Sequence, residues 1–195
     1  MKHFLLLIIF CCLFSCQRNA FIGKWHAPNH VVTLDFQKGA TIVLRCIGCS
    51  GVDTLGWRKI GRNFAVVEGD TFRIKDDRIP FLNTFLSKGE VKADFKIDKS
   101  YFLNQRFVHG NGEFSTSVHF PTEEEYTETF NKVTDTKQWD LIEFEGNHFL
   151  GLTVFRGGRM RYCRIVEKKE DRLKLLYFDN HEQKFVESEM RKVSQ

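Results

Sequence analysis

The chain has 195 residues, a formal charge of +4, 42% hydrophobic residues and 20 phenylalanines. So small a charge bias leaves no electrostatic footprint for nucleic acid, and no nucleic-acid partner is expected. The length allows one domain with a sizeable core or two small β units.

Lys2 and His3 precede an uncharged apolar run from Phe4 to Phe14. The run is too short for a bilayer span, which needs roughly 20 residues, and it fits the core of a secretory signal peptide. Leu13-Phe14-Ser15-Cys16 resembles the lipobox of bacterial lipoproteins. The resemblance implies that residues 1–15 are a signal peptide and that Cys16 becomes the first mature residue, lipidated on its sulfur and amino group. Residues 16–20 then form a tether. Two acyl chains suffice for stable anchoring, at about 0.8 kcal/mol per buried CH₂, so the membrane is the first expected partner. Gln17-Arg18-Asn19 has neither the aspartate that retains such lipoproteins at an inner membrane nor the acidic cluster that can export them to the surface. The expected location is therefore the cell envelope, on the periplasmic face of an outer membrane.

The mature part, residues 21–195, is dominated by period-two alternation. Val32, Leu34 and Phe36 alternate with polar residues, and so do Ile42, Leu44 and Cys46. Val91, Ala93, Phe95 and Ile97 give the clearest one-face-wet pattern, and Phe114, Thr116, Val118 and Phe120 repeat it. Glu68-Gly69-Asp70, His109-Gly110-Asn111-Gly112, Glu145-Gly146-Asn147 and Gly157-Gly158 sit between these runs as hairpin turns. From Trp139 to Val193 five strand-like segments form a meander. Two segments read as short helices: Pro80 to Lys88, with apolar residues at helical spacing and Gly89 beyond, and Thr122 to Thr134, with Thr122 and Glu125 as a capping box. The second helix marks a candidate subdivision near 121–138. The expected fold is all-β, an antiparallel meander closing into a barrel or two packed β units, with one or two short helices.

Once the leader is removed and Cys16 lipidated, Cys46, Cys49 and Cys163 remain. Cys46 and Cys49 form a CxxC that follows a strand pattern. That setting favours a disulfide at a β-turn over a thiol redox site, which needs a helix start behind the first cysteine. A metal site would need two further ligands, and no paired cluster supplies them. His26 and His30 are separated by Pro28, which argues against a helix that would bring them together. Arg156, Arg159 and Arg161 lie in one hairpin as a candidate anion contact, with Arg164 on the opposite strand face. No catalytic residue, metal or cofactor is assigned.

Gly23-Lys24-Trp25 resembles the first motif of lipocalins and lipocalin-like lipoproteins. The resemblance implies that Trp25 closes one end of an up-and-down barrel from its first strand. The leading functional expectation is a non-enzymatic envelope lipoprotein that binds an apolar ligand or an envelope protein. A thiol-disulfide protein using Cys46 and Cys49, or an interaction or inhibitor module, are the alternatives.

Overall fold

The computed structural model describes residues 19–49, 51–81, 84–89, 91–110, 115–153, 158–179 and 181–193. Among them are sixteen strands and one 3-10 turn at Lys99–Tyr101, so the protein is all-β, as the alternation predicts.

The first eight strands are β1 (Gly23–His26), β2 (Val32–Phe36), β3 (Thr41–Cys46), β4 (Asp53–Gly61), β5 (Phe64–Val67), β6 (Asp70–Arg73), β7 (Arg78–Phe81) and β8 (Thr84–Lys88). They form one antiparallel, barrel-like sheet in the order β6-β5-β4-β3-β2-β1-β8-β7, whose two ends meet at a bridge between Lys75 and Arg78. Its interior is filled by Phe21, Trp25, Phe36, Ile42, Trp57, Ile79 and Leu86 among others. Phe36 and Trp57 meet edge to face with centroids 5.3 Å apart.

The second eight are β9 (Arg106–His109), β10 (Thr116–His119), β11 (Glu125–Phe130), β12 (Val133–Phe144), β13 (Asn147–Thr153), β14 (Met160–Lys168), β15 (Arg172–Asp179) and β16 (Lys184–Val193). They run up and down in sequence order, and β9 pairs with both β10 and β16 to close the barrel. An eight-stranded barrel has an interior just wide enough for its own side chains or one small ligand.

Three segments depart from the sequence expectation. Pro80 to Lys88 is a hairpin: Ile79 and Leu86 face each other and are fully buried. Pro80 is tolerated because β7 is an edge strand and needs no donor on its open side. Thr122 to Thr134 is also a hairpin. The Thr122 hydroxyl does accept the Glu125 N–H at 3.0 Å, but the chain then enters β11 and turns at Asn131-Lys132, both with positive φ (48° and 66°). Thr127, Thr129, Thr134 and Thr136 favour the pleated sheet over a helix and decide the outcome. Residues 91–97 form no ladder. Phe95 and Ile97 instead dock on the core of the closed barrel, while Val91 stays exposed. Phe114, Asn111-Gly112 and Gly157 lie outside the described residues.

The passage between the sheets runs through 89–105, and residues 125–138 lie within the closed barrel. The two units meet along the β12–β13 turn. The Glu145 carboxylate accepts hydrogen bonds from Lys24 Nζ at 2.9 Å and Arg45 Nη1 at 2.8 Å, both on the outer face of the first sheet. These bonds, led by that from Lys24, hold the Glu145 carboxyl below the usual carboxylate range. Asn147 Nδ2 donates to the Val91 carbonyl at 2.8 Å, and Arg164 Nε donates to Asn147 Oδ1 at 3.1 Å.

Candidate binding cup in the closed barrel

Alternate residues of every barrel strand point inward, and they stack in layers. At one end Phe107, Phe120 and Trp139 make a plug that Phe102, from the turn below β9, completes. The Phe120–Trp139 centroids are 4.8 Å apart and the Phe102–Phe120 centroids 5.2 Å. The Trp139 indole N–H is satisfied by the Thr122 carbonyl at 2.9 Å.

Above the plug the packing stops short. Val118, Tyr126, Leu152, Cys163, Leu175 and Met190 surround a cavity of about 150 Å³, and His109, Glu128, Arg161, Tyr177 and Ser188 complete its lining. Each polar residue of that set stands two positions beyond an apolar one on the same strand: 107 and 109, 126 and 128, 163 and 161, 175 and 177, 190 and 188. Because successive strands run in opposite directions, these steps all point to the same end of the barrel. The result is a cup with an apolar floor and a polar rim.

Burial pushes the Cys163 thiol up to about 12, so the floor carries an inert thiol that packs as a small hydrophobe. The Tyr126 hydroxyl donates to the Thr153 carbonyl at 2.8 Å. At the rim, His109 Nε2 is 2.9 Å from Ser188 Oγ, and burial holds the imidazole below its ordinary pKa. Glu128 is ion-paired with Lys137 of β12. The Arg161 guanidinium lies 5.7 Å from the Tyr177 ring centroid.

No family model, curated protein or solved structure matches this chain.

The residues singled out from the sequence fall in separate places. Arg161 lines the cup, Arg159 is exposed just before β14, and Arg156 lies outside the described residues, as does Cys16. Cys46 and Cys49 are joined in a disulfide across the turn that follows β3, with Cα atoms 5.5 Å apart and no helix behind either residue. Trp25 is in β1 of the first sheet, its Nε1 donating to the Phe21 carbonyl at 2.7 Å, and the cation over its ring is Lys88 at 5.6 Å.

His26 and His30 come together without a helix. The turn between β1 and β2 stacks their rings at 4.6 Å and 21°, and both are buried. Among the described residues no group of three or more His, Cys, Asp or Glu is placed to hold a metal ion. The stacked pair faces Arg164 at the seam between the units, and His30 has its pKa lowered to about 3, first by burial and then by the Arg164 and His26 charges.

Proposed function

We propose that this chain is a non-enzymatic, lipid-anchored protein of a bacterial cell envelope, with a lipocalin-like β architecture whose closed barrel holds a small ligand with an apolar body. The observation that carries the reading is the cup. A barrel of this size can fill its whole interior with side chains, yet the closed barrel leaves about 150 Å³ open beside a polar rim. Concave, mostly apolar sites with a few convergent polar groups are the ordinary form of small-molecule sites. The lipobox-like Leu13-Phe14-Ser15-Cys16 supports the anchor, and the up-and-down order of β9 to β16 around a closed barrel supports the lipocalin-like assignment, whereas Trp25 belongs to the first sheet.

Ligand-observed NMR with 1-hexanol tests the cup. Saturation transfer from the intact chain is expected, with weaker transfer from Leu175→Phe, which narrows the cavity. Unaltered transfer from that variant places the alcohol elsewhere and removes the support for a ligand cup. The anchor is tested separately by labelling cells with a fatty-acid analogue: Cys16→Ala should abolish incorporation, and unchanged labelling of the mutant would refute lipidation at that residue.

A further inference from the structure

The rim of the cup carries a guanidinium, that of Arg161, in contact with no carboxylate among the described residues. Glu128 is neutralised by Lys137. His109 is half-buried, bound to Ser188, and kept below its ordinary pKa. Asp179, at the end of β15, accepts the N–H groups of His181 at 2.8 Å and Glu182 at 3.1 Å with one carboxylate oxygen. Arg161 stands apart from the Glu128–Lys137 pair: among the described residues no carboxylate lies within 4.0 Å of it, the Asp179 charge acts on it from farther away, and its guanidinium lies by the face of Tyr177. A guanidinium above an aromatic ring is restricted in orientation and presents its fork of donors to whatever enters.

Resting on the reading of the cup as a ligand site, we propose that its ligand is a carboxylic acid with a short apolar tail, the carboxylate on Arg161 and the tail on Val118, Cys163, Leu175 and Met190. The head follows from chemistry. An arginine fork matches a carboxylate bidentately, whereas an ammonium head would be repelled and a hydroxyl would leave the fork half used. The tail follows from volume. An apolar cavity of about 150 Å³ accommodates a benzene-sized body, which sets a limit of about six carbons. Longer chains meet the plug of Phe102, Phe107, Phe120 and Trp139, each at most 2% exposed. The floor suits an apolar tail because burial keeps both of its ionisable groups, the Cys163 thiol and the Tyr126 phenol, protonated.

The test compares hexanoate, decanoate and 1-hexanol on the intact chain and on Arg161→Gln, by calorimetry or ligand-observed NMR at pH 7.5. Hexanoate should bind at least tenfold more tightly than 1-hexanol, decanoate should gain no further affinity, and R161Q should abolish the preference for the acid by lowering hexanoate affinity to that of 1-hexanol. Equal binding of acid and alcohol, or a preference that survives in R161Q, overturns the carboxylate proposal and leaves the apolar cup standing. Binding that tightens steadily to decanoate overturns the size limit. If neither hexanoate nor 1-hexanol binds the wild-type chain, the cup reading fails together with the proposal.

Discussion

Acid should weaken the seam between the two units, and His30 should be the largest single cause. Its ring is 6% exposed, stacked on His26, with Nδ1 lacking a hydrogen-bond partner and Arg164 nearby. The folded-state pKa is lowered from 6.5 to about 3. Between those values the unfolded chain binds the proton and the folded chain does not, so stability rises with pH across that window and is lost as pH falls from 6.5 towards 3. Each pH unit costs at most about 1.4 kcal/mol. From pH 6.5 to 4 the limit for a fully dry site is about 3 kcal/mol, and screening by water at the seam reduces the expected loss to about 2 kcal/mol. The control is His30→Phe, which keeps a stacked ring and removes the basic nitrogen. His30 has φ of 56°, and phenylalanine there carries left-handed strain of about 1–2 kcal/mol, but that cost is the same at every pH. Other groups also respond to acid: the lowered pKa of His109 makes stability fall as pH drops below 6.5, and that of Glu145 makes it fall as pH drops below the ordinary carboxyl value of 4.5. They contribute equally to both proteins and cancel in the difference. Denaturant unfolding at pH 7.5, 5.5 and 4.5 should show wild-type stability falling by about 2 kcal/mol more than that of His30→Phe. Parallel curves for the two proteins would refute a neutral, buried His30.

Glu145→Ala removes the shared acceptor of Lys24 and Arg45, whose side chains are 29% and 34% exposed; it should cost about 1–2 kcal/mol, less at high salt, read by urea unfolding at two ionic strengths. Gly151→Ala would place a methyl 2.9 Å from the Tyr162 ring and 3.2 Å from Met160 Sδ, so it should cost about 1–3 kcal/mol by overpacking, seen as a lower melting temperature. Cys46→Ser with Cys49→Ser opens a loop of very few residues, and chain entropy places the loss at the low end of the roughly 0–5 kcal/mol range, with hexanoate and 1-hexanol binding unchanged in the same titration.

The parts of the fold legible in the sequence were those in which the alternation runs along an isolated strand. Val32 to Phe36 and Thr41 to Cys46 are β2 and β3, the Glu68-Gly69 and Glu145-Gly146 turns join adjacent strands, and the five segments after Trp139 are β12 to β16. Short apolar runs were not decidable: Phe81, Phe85 and Leu86 have helical spacing, yet in the hairpin they oppose Thr84, Pro80 and Ile79, and pairing of β8 with β1 adds the ladder that selects the strand. The 91–97 segment shows the converse: clear alternation can be satisfied by docking two side chains on a barrel end, with no partner strand. The cup was written as a series of apolar-to-polar steps two residues apart, but collecting them needs the register of strands distant in sequence, such as β9 with β16. That register is not local information, and between β14 and β15 a bulge near Glu167 shifts it again. The seam was invisible for the same reason, since His30, Glu145 and Arg164 come from three separated parts of the chain.

One strand serves both regions. Along β14, Arg161, Cys163 and Ile165 face the barrel interior, while Tyr162 and Arg164 face outward. The outward pair meets the first sheet: Tyr162 packs over Gly151 and near Gly48 of the disulfide turn, and Arg164 bonds Asn147 beside the buried histidines. Phe149, opposite Arg164 in the ladder, is fully buried although it belongs to neither barrel core, and its ring meets Phe144 with centroids 6.4 Å apart. The barrel wall that carries the cup's arginine is thus braced from outside by a unit with an apolar core of its own. The first sheet can therefore fix the position of the binding strand without touching the ligand, and an outward substitution on β14 tests the brace while an inward one tests the cup. A one-residue slip of β14 would exchange these roles, placing Tyr162 and Arg164 in the cavity and Arg161 and Cys163 against the first sheet. The packing of Tyr162 across Gly151, where a larger residue would displace the ring, opposes that slip together with the burial of Cys163 and Ile165 and the Arg164–Asn147 bond.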